Sequence, residues 1–287
     1  MLPRLRNFAF AAAAVLVGLY LLVCAGLFFG QRSLIYFPAP GRTAPNVPAL
    51  AIQELQLNTP DGETLIAWYL PPKPGKPVLL TFTGNGASLA GEEPRWRRIG
   101  EAGAGFMAVA YRGYSGSTGH PTEAGLHIDA RTGYDWLAKR HPASDIVIYG
   151  HSLGAAVAVR LAAERPARAL ILEAPFAAAV DMAAERYPFI PARLLMRDPF
   201  ISREWIKQVH EPVLIIHGDQ DSVIPFAQGQ ALFAAANSPK VFVRMYGSDH
   251  NTLTRDGAFD LEWAFLGIPV SGAADPGHET RYRLMRR

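Results

Sequence analysis

The chain has 287 residues, with 28 Lys and Arg against 25 Asp and Glu, a net charge of +3 and a single cysteine, Cys24. One cysteine rules out an intrachain disulfide framework and a cysteine-built metal site, and so balanced a charge gives no basis for nucleic-acid binding. With an N-terminal apolar segment set aside, about 235 residues remain, room for one α/β core and no second catalytic domain.

In chain order, the first feature is Phe8 to Phe29, 22 residues without a charge, preceded by Arg4 and Arg6. As a helix this segment would be about 33 Å long, enough for a hydrocarbon core of about 30 Å. Residues 1–30 therefore read as a transmembrane anchor. The competing reading is a cleaved signal peptide, but its apolar core runs only about 7–15 residues, and here Leu27-Phe28-Phe29 follow the small residues where cleavage would fall. Arg4, Arg6 and the terminal amine outnumber Arg32 and Arg42 across the segment, which favours a cytoplasmic N-terminus with the folded domain on the opposite side. Residues 31–50, with Pro38, Pro40, Pro45 and Pro48, read as a juxtamembrane linker held extended by its prolines.

Residues 51–270 read as one α/β domain with a mostly parallel central sheet and helices on both faces. Its opening is a hairpin, Ala51–Leu57 and Glu63–Leu70 about the turn Thr59-Pro60-Asp61-Gly62. From Val78 onward, short apolar runs alternate with helical patterns, which implies right-handed parallel crossovers with functional loops at the carboxyl ends of the strands. One such end carries Gly150-His151-Ser152-Leu153-Gly154, between the run Asp145–Tyr149 and an alanine-rich helix. A Gly-X-Ser-X-Gly in that position reads as a nucleophile elbow and makes Ser152 the candidate nucleophile. Residues 176–210 exceed what a crossover needs and read as an apolar cap. After it, Val213–Ile216 leads into Asp219 and Asp221, both candidates for a triad acid. Val241–Met245 then leads into Asp249 and His250, the candidate base. The order serine, acid, histidine is that of α/β-hydrolases. Asp249 is read as an ion-pair partner of Arg244 or a surface residue, His151 as a local hydrogen-bonding or packing group, and His210 and His217 as structural. Residues 271–287 read as a basic, disordered tail.

Four segments carry a family resemblance: Thr83-Gly84-Asn85-Gly86, Tyr111 to Ser117 running on to Pro121, the elbow, and His217-Gly218 with Asp221 and Pro225. Together with Gln31 to Pro38 they make residues 31–265 similar to α/β-hydrolases of the Bem46-like group, membrane-associated serine hydrolases related to the ABHD12, ABHD13 and ABHD17 type. Where that group usually has His-Gly-Asn, this chain has Thr83-Gly84-Asn85. The Asp221-to-Pro225 spacing matches the family pattern and selects Asp221 over Asp219. The resemblance implies a Ser152, His250, Asp221 triad and an oxyanion hole from Leu153 and Asn85, or its neighbour Gly86. The expected activity is hydrolysis of esters or thioesters of acyl chains, with an acyl ester, lysolipid or acyl-protein as substrate, membrane lipid as a contact of the anchor, and no cofactor or metal. A prolyl-aminopeptidase-type peptidase and a non-catalytic tethered module are the alternatives.

Overall fold

The computed structural model describes residues 2–39, 41–268 and 282–286. It opens on a helix α1 (Leu2–Ile35), followed by β1 (Gln53–Asn58), β2 (Thr64–Leu70) and β3 (Val78–Phe82). Next come α2 (Glu93–Glu101), β4 (Gly105–Val109), α3 (Glu123–Ala138), β5 (Ile146–His151), α4 (Leu153–Ala162) and β6 (Ala169–Glu173). The cap holds α5 (Ala179–Arg186), α6 (Ala192–Leu195) and α7 (Ser202–Trp205); β7 (Val213–Gly218), α8 (Phe226–Ala235), β8 (Lys240–Met245), α9 (Ala258–Leu266) and β9 (Tyr282–Arg286) complete it.

The strands form one sheet in the order β1-β2-β4-β3-β5-β6-β7-β8-β9. The pairs from β4 through β8 are parallel, and β1 with β2, β2 with β4 and β8 with β9 are antiparallel. Strands buried on both faces need apolar side chains at every position, which is why the central ones read as unbroken apolar runs. Their period of two divides them between two cores. Val78, Leu80, Ile146, Ile148, Val213 and Ile215 pack with α3, α4 and α8 on one face. Leu79, Val147, Tyr149, Leu214 and Ile216 pack with α2 and α9 on the other.

The second face also contains charge. Arg95 of α2, 4% exposed, donates to Glu173 at the end of β6 at 2.8 Å, to Glu262 of α9 at 3.2 Å and to Thr254 at 2.9 Å, with its guanidinium over the Tyr149 ring. Burial raises the Glu262 carboxyl well above its usual range, against the pull of Arg95. Burial would raise Glu173 too, but Arg95 and a hydrogen bond with Glu262 hold it low, so one of the two carboxyls is charged.

Two expectations need correction. The helix does not end near residue 30 but runs to Ile35, and the segment after it is no free tether. Gln31 donates to the Leu195 carbonyl at 3.0 Å and accepts from the Arg197 N–H at 2.7 Å, and Arg32 pairs with Asp198 at 2.9 Å. Tyr36 and Val47 are buried, and the Ala39 carbonyl accepts from the Ser115 N–H. The prolines limit the chain's own conformations, but apolar and polar side chains between them give the domain something to hold. The second correction concerns the basic tail. Of residues 271–287, those described, 282–286, pair antiparallel with β8 from Met245↔Tyr282 to Val241↔Arg286. An edge strand leaves a row of backbone donors and acceptors open, and this pairing satisfies them whatever the charge of the added strand.

The buried charges set two expected outcomes. Arg95→Leu strands the Glu173 charge in the core and should cost about 3–5 kcal/mol in urea denaturation at pH 7; a loss below about 1 kcal/mol would show that the cluster is not holding α2 and α9 to the sheet. His127 of α3 lies against the Trp205 ring, and burial pushes it down to about 4. Unfolded it would protonate near its ordinary value, so the unfolded chain binds the extra proton between about pH 6.5 and pH 4, and stability falls as pH drops through that window by about 1.4 kcal/mol per unit. His127→Gln should lower the slope of unfolding free energy against pH there by about 1.4 kcal/mol per unit, leaving the part due to the other buried histidines; an unchanged slope would contradict the assignment.

Candidate active site

Ser152 lies between β5 and α4 with φ 55° and ψ −119°, a left-handed conformation that few side chains tolerate. The strain is held in place by close packing. A Cβ on Gly150 would strike the backbone of Gly154, and one on Gly154 would strike the carbonyl of Phe82 at the end of β3. The Ser152 N–H is anchored to the Glu173 carbonyl at 3.0 Å. The consequence is a hydroxyl raised off the sheet towards the loops that follow β7 and β8.

Those loops carry Asp221 and His250. Ser152 Oγ is 2.9 Å from His250 Nε2, and His250 Nδ1 is 2.8 Å from Asp221 Oδ2. The Asp221 carboxylate also accepts the Val223 and Ile224 N–H groups on Oδ1, at 2.9 and 2.7 Å, and its Oδ2 is 3.3 Å from His217 Nε2. Burial would raise this carboxyl, but the hydrogen bonds from His217, His250 and Ile224 outweigh it and hold it far below the usual carboxylate range. Asp221 is therefore ionised and faces a ring N–H, which fixes the imidazole with its Nε2 lone pair towards the serine. Both Ser152 and His250 are nearly buried, 8% and 5% exposed.

Asp219 points elsewhere, to Arg244 at 2.9 Å and the Gly247 N–H at 2.8 Å. Arg244 therefore pairs with Asp219 and not with Asp249, for which the sequence leaves open either that ion pair or a surface position. Asp249 instead accepts from the Ser222 N–H at 2.7 Å, the Ser222 hydroxyl at 2.9 Å and the His250 N–H at 2.7 Å, tying the acid loop to the base loop. Nothing local in the sequence distinguishes these partners, because it is the β7–β8 pairing that brings the two loops together.

Leu153 begins α4, so its N–H is one of the donors that the first turn leaves without an intrahelical acceptor. Across from it, a Cβ on Gly84 would come within 3.4 Å of the Ser152 Cβ, which places Thr83 to Gly86 against Ser152. The Asn85 side chain is already engaged. Its carbonyl accepts from the Tyr114 hydroxyl at 2.8 Å and the Phe37 N–H at 2.9 Å, and its amide donates to the Ile35 carbonyl. It closes the end of α1 and fixes the loop, leaving its backbone N–H for other use. This join between the N-terminal helix and the nucleophile loop is not foreseen in the sequence, although Gln31 to Pro38 is among the segments carrying the resemblance.

Arg112 holds Asp61 and Asp129, each at 2.8 Å, and so secures the Tyr111–Ser117 loop. His151 sits beside His250, its Nε2 3.2 Å from the His250 carbonyl, and burial pushes it down to about 4. It is neutral at pH 7. A cavity of about 420 Å³ borders His151 and His250 and is lined by polar groups including Arg95, Glu173, Asn251 and Arg255. A second cavity, apolar and about 340 Å³, lies between the end of α1 and the cap, lined by Leu27, Leu34, Tyr187, Ile190 and Met196.

Comparison with known proteins gives this arrangement its relatives. A family described as serine aminopeptidase S33 matches residues 76–198. An uncharacterized protein of Mycobacterium tuberculosis is 37% identical over 248 residues, 83% of this chain and 88% of that one. Protein bem46 of Schizosaccharomyces pombe is 32% identical over 84% of this chain and 87% of its own length. The lysophosphatidylserine lipase ABHD12 of Rattus norvegicus is 31% identical over 58% of this chain, which spans about half of that protein, 47%. Among solved structures, a Pyrococcus furiosus esterase superposes with a TM-score of 0.65 at 18% identity over 81% of this chain and 98% of its own. An acetyl xylan esterase from Paenibacillus sp. R4 does so with 0.65 at 16% over 85% and 94%. At such identities the structural likeness speaks for the fold alone, but the bem46 match spans nearly both chains. This chain belongs to the Bem46-type α/β-hydrolases.

Proposed function

We propose that this protein is a membrane-anchored serine hydrolase that cleaves carboxylic esters or thioesters of acyl chains. The observation that carries the reading is the unbroken hydrogen-bonded line from Asp221 through His250 to Ser152, at the carboxyl ends of three parallel strands of one sheet. Ser152 Oγ attacks the acyl carbonyl while His250 Nε2 takes the hydroxyl proton, and ionised Asp221 stabilises the imidazolium that forms. The backbone N–H groups of Leu153 and Asn85 are the donors assigned to the oxyanion; one such donor is worth about 3 kcal/mol of transition-state stabilisation. His250 then gives its proton to the departing alcohol or thiol. Water, deprotonated by the same nitrogen, attacks the acyl-enzyme and releases the carboxylic acid and free Ser152.

A cavity beside His250 whose wall includes charged side chains, together with an apolar groove under the cap, suits an amphiphilic ester, and an ABHD12 relative bears the name of a lysophosphatidylserine lipase. We therefore favour a lysolipid or acyl-protein as substrate. α1 is the anchor: it is long and apolar enough to cross a membrane, and 6% of its most apolar window is buried by the rest of the chain. By the positive charges on either side, the N-terminus lies in the cytoplasm and the catalytic domain across the membrane. The description of the matching family keeps an aminopeptidase as the second reading.

Full-length protein should react with a fluorophosphonate at Ser152 and cleave p-nitrophenyl esters, and Ser152→Ala should lose both; labelling that survives the substitution would remove Ser152 as nucleophile. Faster release of an N-terminal residue from a peptide than of an acyl chain from an ester would move the assignment to the peptidase. Asp221→Asn should lower kcat by about 10⁴-fold by fixing the wrong imidazole tautomer, whereas Asp219→Asn, away from His250, should change it by less than about tenfold. Equal losses in the two variants would overturn the choice of acid.

A further inference from the structure

The cap carries exposed apolar side chains where a water-facing surface would be polar. Tyr187, Phe189 and Leu194 are 60%, 86% and 84% exposed, and Tyr187-Pro188-Phe189-Ile190-Pro191 has no charge. Contacts at three residues of α1 fix its position along the helix. At its root, Gln31 bonds the Leu195 carbonyl and the Arg197 N–H. The Arg197 guanidinium lies over the Phe28 ring. At its tip, the Tyr20 hydroxyl donates to the Phe189 carbonyl at 2.9 Å. From Gln31 to Tyr20 is eleven residues, about 16 Å of helix. The cap thus runs back along α1 towards its N-terminus.

A membrane-spanning α1 sets a depth for that tip. Its apolar stretch is bounded by Arg6 and Arg32, about 39 Å apart along the helix, and must contain a hydrocarbon core of about 30 Å. If the core starts at Arg6 it ends near Gly26, about 9 Å beyond Tyr20; if it ends at Arg32, Tyr20 lies about 18 Å inside it. To leave Tyr20 in water, the core would have to fit into the about 21 Å between Arg6 and Tyr20, which is too thin. Side chains on a helix lean towards its N-terminus, so the Tyr20 hydroxyl is not carried outward.

We propose that the α5–α6 turn of the cap is embedded in the acyl-chain region of the membrane, entering it from the side of the catalytic domain. The proposal rests on α1 being a membrane span. Lipid chains are the occupant because the exposed cap residues continue the lipid-facing surface of α1 at the same depth. Arg186, exposed at the start of the uncharged run, has the length to reach the head groups, and Arg193 after it is exposed but pairs with Asp181 at 3.1 Å. The apolar groove between α1 and the cap lies along this face, where an acyl chain could slide in sideways without first leaving the bilayer.

The test uses the full chain with Cys24→Ser in phosphatidylcholine–phosphatidylglycerol vesicles. Single cysteines replace Phe189, Leu194, Leu16 in α1, or exposed Lys139 beyond the end of α3, and carry an environment-sensitive fluorophore. Lipids spin-labelled in their acyl chains should quench the probes at 189, 194 and 16 at least about twofold and leave the one at 139 unchanged. Quenching at 16 without quenching at 189 and 194 overturns the cap proposal and leaves the anchor in place. No quenching at 16 removes the anchor and the proposal with it. A probe at 189 that neither lipid nor aqueous iodide quenches means a protein partner or second copy covers the cap, which also overturns it.

Discussion

Everything at the centre of this protein depends on how tightly β5 turns into α4. The turn forces Ser152 into a left-handed backbone conformation, and the approach of Gly154 to Phe82 leaves no room for any other course. Strain of this kind amounts to about 1–3 kcal/mol and persists only where surrounding structure over-determines it. Here the over-determination is the two-sided core. α4 is buried along nearly its whole length against β3, β5 and β6, so relaxing the turn would mean lifting the helix off the sheet.

The same sheet brings the partners of Ser152 to it. Because β7 and β8 are parallel and adjacent, the loops at their carboxyl ends lie side by side, and Asp249 fastens one to the other through Ser222 and the His250 backbone. The acid is then surrounded by donors and stays ionised although its side chain has no exposure to water. A buried carboxylate so supplied with hydrogen bonds orients a histidine without competing for its proton.

The N-terminal helix is built into this arrangement and not merely attached to it. Asn85 follows Gly84, where an added Cβ would come within 3.4 Å of the Ser152 Cβ, and its side chain closes the end of α1. Arg32 reaches Asp198 in the cap, whose carboxylate also takes the N–H of Glu123 at the start of α3. The end of α1, the cap and the loop Thr83 to Gly86 therefore hold each other in place. A domain at the end of a flexible linker would sample many positions.

Much of this was legible in the residues themselves. The elbow glycines, the serine–acid–histidine order and the apolar runs of the parallel strands are consequences of local sterics and of strand period, and both are written in consecutive residues. The length and lack of charge of Phe8 to Phe29, which the helix α1 contains, belong to the same class, since both are local properties of the chain. What the sequence could not decide were pairings between segments far apart. Arg244 could reach Asp219 or Asp249, the basic end could hang free or add to β8, and the proline-rich segment could extend or pack. Each choice depends on which groups the fold brings within about 3 Å of one another, and only the packed tertiary structure sets that distance.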